Sequence, residues 1–419
     1  MRLLAAAERS RHLLLVRSVI IAARRTGHER LWELAEAYDL LAGLHEDHPE
    51  AVERVLCYPT VGTWAMRVLR ALVSKTGGGP VALAYLPGMA LAAAVIAGAD
   101  AELDVSVPSG RVVLPTLGVA RLASAPRGSV GRVTVRTGTT GGEITGFGGA
   151  TSIPRSPDQY AESWTGVRRL TTCHHDRVLD VYLDDVDPFR IPEGWPAPRR
   201  RTHVVERWQE VLEEAWALLV DHHPLYAEEV GAGVRMITPT HPPRGRTVSS
   251  TSRYAFGEFA GSLPSDGRIL ASLLAHEIQH AKLWALLGLV SLAEPPKTVD
   301  PLLLYAAWRD DPRPPVALLH GAYAHLAVAA FWRVQRLLDE GQAAQRAHVE
   351  YARWRRHTRQ AIETLLESGS LTEVGVSFVT GMAAALARWQ SDDIPLSADR
   401  EASRASAEHL RAWQDRNAR

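Results

Sequence analysis

Cysteine is almost absent from this chain of 419 residues, which has only Cys57 and Cys173. Two cysteines build no disulfide scaffold, so the fold has to rest on a buried core, and the chain suits a reducing cytoplasm. Lysine is confined to Lys75, Lys282 and Lys297, with arginine carrying nearly all the positive charge. No sign of charge is in excess. The 47 basic and 47 acidic residues cancel, which leaves no electrostatic footprint for nucleic acid. A signal-peptide pattern is missing at the start, where Glu8, Arg9, Arg11 and His12 interrupt the apolar residues. The uncharged run from Val81 to Ala99 contains Pro87, Gly88 and Gly98 and lacks a basic flank, so it reads as a buried element and no membrane partner is expected.

What the chain does contain is one chemically loaded run, Ala275-His276-Glu277-Ile278-Gln279-His280, of the form H-E-x-x-H. At ~100° per residue, histidines four apart lie on one helix face about one turn from each other, so both imidazoles can reach one metal ion. Glu277 then points toward the same cavity. The surroundings predict a helix: Ser265 or Asp266 can cap it, Ile269, Leu270, Leu273, Leu274, Ile278, Leu283, Leu286 and Leu287 recur with helical spacing, and Gly288 can end it. A largely apolar helix must be buried. Two histidines and a glutamate inside it need partners, and a metal supplies one.

The rest of the sequence predicts a mainly helical α+β protein. Helical spacing covers 13–23, 31–44, 50–72 and 202–222, the last with Trp208 and Trp216 near its buried face. Alternating segments at 102–107, 111–115, 131–136 and 167–183 read as short antiparallel strands, followed by strands at 234–238 and 251–259. An edge strand near a metal helix can bind an extended peptide by strand addition. Helices follow at 318–338, 340–366 and 374–389. The prolines and glycine of 191–198 suggest a boundary. The expected division is an N-terminal lobe of helices and antiparallel strands (1–195), a metal-binding catalytic lobe with a zincin-like helical core (196–390) and a polar tail (391–419).

Two histidines hold a metal poorly, so a third donor is needed. A metzincin would carry glycine at 283 and histidine at 286, and both are leucine here. A gluzincin places a glutamate on a later helix, and His320 stands where that residue would be, in Leu318-Leu319-His320-Gly321-Ala322-Tyr323-Ala324-His325-Leu326. Gly321 and Ala324 would let this helix approach the motif helix closely. His325 competes for the role. It lies ~140° round the helix from His320, so one orientation does not easily deliver both to one metal. The reading favours His320. Tyr323, one turn from it, can donate to a metal-bound oxygen. Between the two helices, Arg309 and Arg313 lie in a proline-rich loop with Asp310 and Asp311, and arginine suits bidentate carboxylate recognition. Cys173-His174-His175-Asp176 looks like a metal cluster, but neighbours on a strand face opposite sides and do not converge simply.

The motif helix, the Trp308–Pro314 loop and the 319–325 segment together resemble the HExxH-motif peptide-modification family of actinobacteria, as do segments 7–14, 58–65 and 370–375. The resemblance spans nearly the whole chain. It implies iron(II) and 2-oxoglutarate as cofactors and Cβ hydroxylation of a side chain in a ribosomally synthesised precursor peptide. It also implies a radical-SAM maturase of the same pathway as a partner. In that reading Arg313 or Arg309 holds the distal carboxylate of 2-oxoglutarate, and Glu277 positions substrate. Two alternatives stand beside it: a zinc(II) metallopeptidase with Glu277 as general base, and a non-catalytic, metal-stabilised peptide-binding partner of a maturase.

Overall fold

A computed structural model describes residues 1–74, 82–156, 162–190, 199–241, 247–295 and 302–417. The N-terminal periodicity becomes five helices: α1 (Arg2–Thr26), α2 (Leu31–Asp47), α3 (Pro49–Leu56), α4 (Pro59–Val73) and α5 (Tyr85–Ala97). Pro49 and Pro59 open α3 and α4, where a missing N–H costs nothing. Every residue of α5 from Tyr85 to Val95 is buried, as expected of an element apolar on all sides. Gly88 is required there, because a Cβ on it would meet the Val113 carbonyl oxygen at 2.0 Å.

The strands form three sheets among the described residues. The first is wholly antiparallel, in the order β1 (Ala101–Pro108), β4 (Val130–Gly138), β5 (Gly141–Gly146), β6 (Gly149–Pro154). A second joins β2 (Arg111–Leu114), β3 (Gly118–Arg121) and β7 (Trp164–Gly166). The third runs β11 (Ser249–Ser250), β12 (Glu258–Gly261), β10 (Met236–Pro239), β9 (Arg177–Leu183), β8 (Arg168–His174). Here β10 departs from the antiparallel pattern, pairing in parallel with both β9 and β12. The cause is the connection. The chain leaves β9, passes through α6 (Thr202–His222) and α7 (Pro224–Gly233), and returns by a crossover, which delivers a parallel strand. The strand read at 251–259 is mostly turn, with pairing only at Glu258 and Phe259.

Contacts divide the chain into two compact units, Met1–Glu210 with Gly233–Pro264, and Val211–Ala232 with Ser265–Arg419. A cut at 195 differs from this, because β10 to β12 complete the sheet that β8 and β9 begin. The proposed boundary at 191–198 lies outside the described residues. The second unit holds α8 (Gly267–Leu287), α9 (Pro315–Leu338), α10 (Gly341–Glu367), α11 (Glu373–Ala387) and α12 (Leu396–Asn417). Most of the polar tail is therefore helix. α12 buries only Ala398 and Ala402 and is tied to α10 by Arg356–Asp399 (3.0 Å), Arg356–Ser403 (2.6 Å) and His357–Ser406 (2.8 Å). α9 is long and apolar enough to cross a membrane, but 67% of its most apolar window is buried inside the protein, as in a core helix.

The first unit buries an acid network. Tyr58 donates to Asp184 Oδ2 at 2.5 Å, and Tyr85 donates to Asp187 Oδ2 at 2.6 Å. The backbone N–H groups of Val186 and Asp187 donate to Asp184 Oδ1, and that of Phe189 donates to Asp187 Oδ1. Burial, then the charge of Asp184, pushes Asp187 up to about 7. A raised carboxyl pKa contributes stability in full below its unfolded value and loses it as pH rises through the folded value. Stability of this unit is expected to fall between about pH 4 and 7, and to fall less steeply in Asp187→Asn. Denaturant midpoints taken across that range check it, and parallel curves for the two proteins would remove Asp187 as the cause.

Candidate metal centre

α8 forms as the sequence predicts. Asp266 is the cap, accepting from the Ile269 N–H at 3.0 Å, and Gly288 follows the last turn. His276 and His280 share one face, with their Nε2 atoms 3.1 Å apart. The Ala324 backbone carbonyl accepts from the His276 ring and helps to hold it in place. Burial pushes His276 down to about 4 and also lowers His280, so both are neutral near pH 7, the form that binds metal. His276 keeps 16% of its side chain exposed, which leaves the pair accessible.

This geometry fits a shared ion. Two nitrogens ~2.1 Å from one metal are ~3.0 Å apart at an octahedral right angle and ~3.4 Å apart at a tetrahedral angle. The observed 3.1 Å lies between them, nearer the octahedral value. Glu277 is 4% exposed, with Oε1 4.0 Å from His276 Nε2. It therefore brings a buried negative charge to the edge of the pair.

α9 supplies both remaining histidines. The angular separation of the two shows in where they land: His325 packs edge-on against His276 (ring centroids 4.7 Å) and His320 lies against His280 (5.7 Å). The two rings meet different members of the pair. Among the described residues no third histidine, cysteine or carboxylate donor lies within 4.8 Å of both Nε2 atoms. Donors on one ion are at most ~4.2 Å apart, so closing the shell needs one ring to move. His325 is held on three sides. It stacks between Trp308 (4.4 Å) and Trp354 (4.2 Å), and its Nδ1 bonds the Gly321 carbonyl at 2.8 Å. His320 lies tilted against Trp284 (3.9 Å). Moving His325 gives up two indole stacks of ~1 kcal/mol each and a buried hydrogen bond.

The small residues of α9 act differently from one another. Ala324 brings its carbonyl to His276, as a close helix approach requires. Gly321 makes room for the Trp308 indole instead, since a Cβ there would meet that ring at 2.3 Å. Tyr323 is hydrogen-bonded to Lys282 and packs on Phe378 (5.2 Å). Arg309 and Arg313 both bind Asp311, at 3.0 and 2.9 Å. Cys173 and His174 end β8, and His175 and Asp176 form the β8–β9 turn. His175 has φ 51° there, and the two histidine rings come within 4.4 Å of each other, so strand alternation does not separate them.

Sequence reasoning missed the bracing around the histidines. Trp354 sits in an arginine-rich helix whose pattern says only that one face is exposed. Glu229 on α7 accepts from Gln279 Nε2 (2.8 Å) and from Lys282 Nζ (2.5 Å), fixing α8 on both sides of His280. The only available signal was the unusual placing of a glutamine and a lysine inside an apolar helix. Set against models of known protein families and against curated proteins, the chain matches none of them.

Proposed function

We propose that this chain is a non-haem iron(II), 2-oxoglutarate-dependent hydroxylase that modifies a side chain, at Cβ, of a ribosomally synthesised precursor peptide in the cytoplasm. The observation that carries the reading is the meeting of His276 and His280 with histidines of α9, at a position where a gluzincin would supply glutamate. The choice of iron and of 2-oxoglutarate rests on the resemblance of the motif helix, the 308–314 loop and the 319–325 segment. His276 and His280 would hold the metal, with His320 as third ligand. When bound, iron(II) supplies the activation of dioxygen, and the balanced reaction converts 2-oxoglutarate, O2 and a C–H bond into succinate, CO2 and a C–OH group.

The chain's own residues then have defined tasks. The Ala324 carbonyl holds the His276 ring in place. Trp308 and Trp354 keep His325 against His276 and exclude water from that side. Arg313 and Arg309, pre-paired with Asp311, are offered as the distal-carboxylate clamp, which requires one of them to exchange Asp311 for the ligand. Glu277 is assigned to positioning the peptide.

One observation favours a second reading. A buried glutamate 4.0 Å from His276 Nε2 is also placed as the base of a zinc metallopeptidase would be. Anaerobic loading with iron(II), followed by 2-oxoglutarate and oxygen, separates the two. We expect oxygen-dependent succinate formation even without peptide, and a gain of one oxygen in the precursor peptide encoded beside the gene. Cleavage of the peptide with zinc, indifferent to 2-oxoglutarate, would replace the first reading with the second.

A further inference from the structure

The first unit carries a second, chemically distinct site. A cavity of about 460 Å³ is lined by Arg111, Arg121, Arg190, Arg199, Asp185 and Thr165 among others. Arg111 and Arg121 are direct partners across the β2–β3 pair, which places their side chains on one face. Like charges directly opposite on a sheet repel, and each pair of this kind costs stability unless an anion lies between them. Neither arginine has an acidic partner among the described residues, and both are exposed. The one carboxylate in the wall is already committed: Asp185 accepts from Arg168 at 2.9 Å, from Arg199 at 2.5 Å and from the Arg200 backbone N–H at 2.7 Å. Arg190 is held by the Asp187 carbonyl, at the end of the loop that the buried acid network makes rigid. Four guanidinium groups therefore face one satisfied carboxylate on a preformed frame.

A smaller cavity of about 130 Å³ shares Arg111 and Pro188 with this one and adds Ala84, Pro108 and Val113. A charged basin joined to an apolar annex selects a ligand with both characters. We propose that this site binds an acidic segment of a peptide, with two or more carboxylates spanning Arg111 and Arg121 and a neighbouring apolar side chain in the annex. Naming a peptide rests on the proposed function; the anion recognition does not. Bidentate guanidinium–carboxylate pairs supply the affinity, and the annex discriminates against ligands that carry charge alone.

The test uses the full-length protein with metal removed by a chelator, so that its outcome is independent of the metal reading. The probe is a fluorescein-labelled peptide of alternating glutamate and leucine, followed by fluorescence anisotropy at low salt. We expect saturable binding that weakens at least tenfold in the doubly substituted R111A/R121A protein and in the same peptide with glutamine for glutamate. Glycine for leucine should weaken it to a lesser degree. Both arginines are exposed, so the variant should keep its circular dichroism and thermal midpoint. Binding weaker than about 1 mM, or equal binding to the R111A/R121A protein, overturns the proposal. Displacement by tripolyphosphate at a concentration no higher than that of the unlabelled peptide would instead assign the site to phosphate-bearing ligands and also overturn it.

Discussion

Replacing His276 or His280 by alanine is expected to abolish metal binding while leaving the fold intact. The two Nε2 atoms, 3.1 Å apart, are already spaced for one ion. Changing residues behind a metal ligand costs ~10–100-fold in affinity, so removing a ligand should cost more than 100-fold. Iron content by mass spectrometry after loading and desalting, beside circular dichroism, reads both halves of the expectation. His320→Ala is expected to lose metal in the same way, whereas His325→Ala keeps it at a reduced thermal midpoint, because His325 is wedged between two indoles and anchored to Gly321. The reverse outcome would make His325 the third ligand and His320 the packing residue. Retained metal in His276→Ala and His280→Ala would remove the centre altogether.

The second large effect concerns two glycines on neighbouring helices that should respond in opposite directions. A Cβ at Gly321 meets the Trp308 indole at 2.3 Å, and that indole is one of the two plates around His325. Gly321→Ala forces the plate outward and is expected to cost ~1–3 kcal/mol as overpacking. Gly381, on the exposed face of α11, has nothing within 4 Å of its would-be Cβ. Gly381→Ala is expected to add ~0.5–1 kcal/mol, since alanine restricts the unfolded chain and favours helix. Thermal melts should show midpoints moving several degrees apart, at ~2–4 °C per kcal/mol. A neutral Gly321→Ala would mean that Trp308 yields at no cost and does not position His325.

Much of the second unit is legible because its helices have continuous apolar stripes. α8, α9, α10 and α11 fall within a few residues of where the spacing of leucine and alanine puts them, and Asp266 and Gly288 mark the ends of α8. α12 is not legible, because it buries two alanines and is held by polar bonds to α10, which leave no apolar period to read. The parallel pairing of β10 is hidden for a different reason: strand direction is decided by the path between strands, and that path is not a local property of four residues. At the candidate metal centre the donors are legible in the sequence but their supports are not. A motif specifies which residues are four apart. It does not specify that the Ala324 carbonyl turns His276, or that tryptophans 17 positions before and 29 after meet on His325.

The interleaving of the two units has a consequence for how the protein is made. The chain quits the first unit inside α6 and re-enters it at Gly233. As it emerges from the ribosome, the β8–β9 hairpin must wait for α6 and α7 to be synthesised before β10 can close against it. Its polar main-chain edge stays open through more than fifty residues of elongation. An open strand edge is a template for wrong pairing. Charges on that hairpin, the Arg169–Asp180 ion pair among them, are well placed to discourage such pairing until the correct strand arrives.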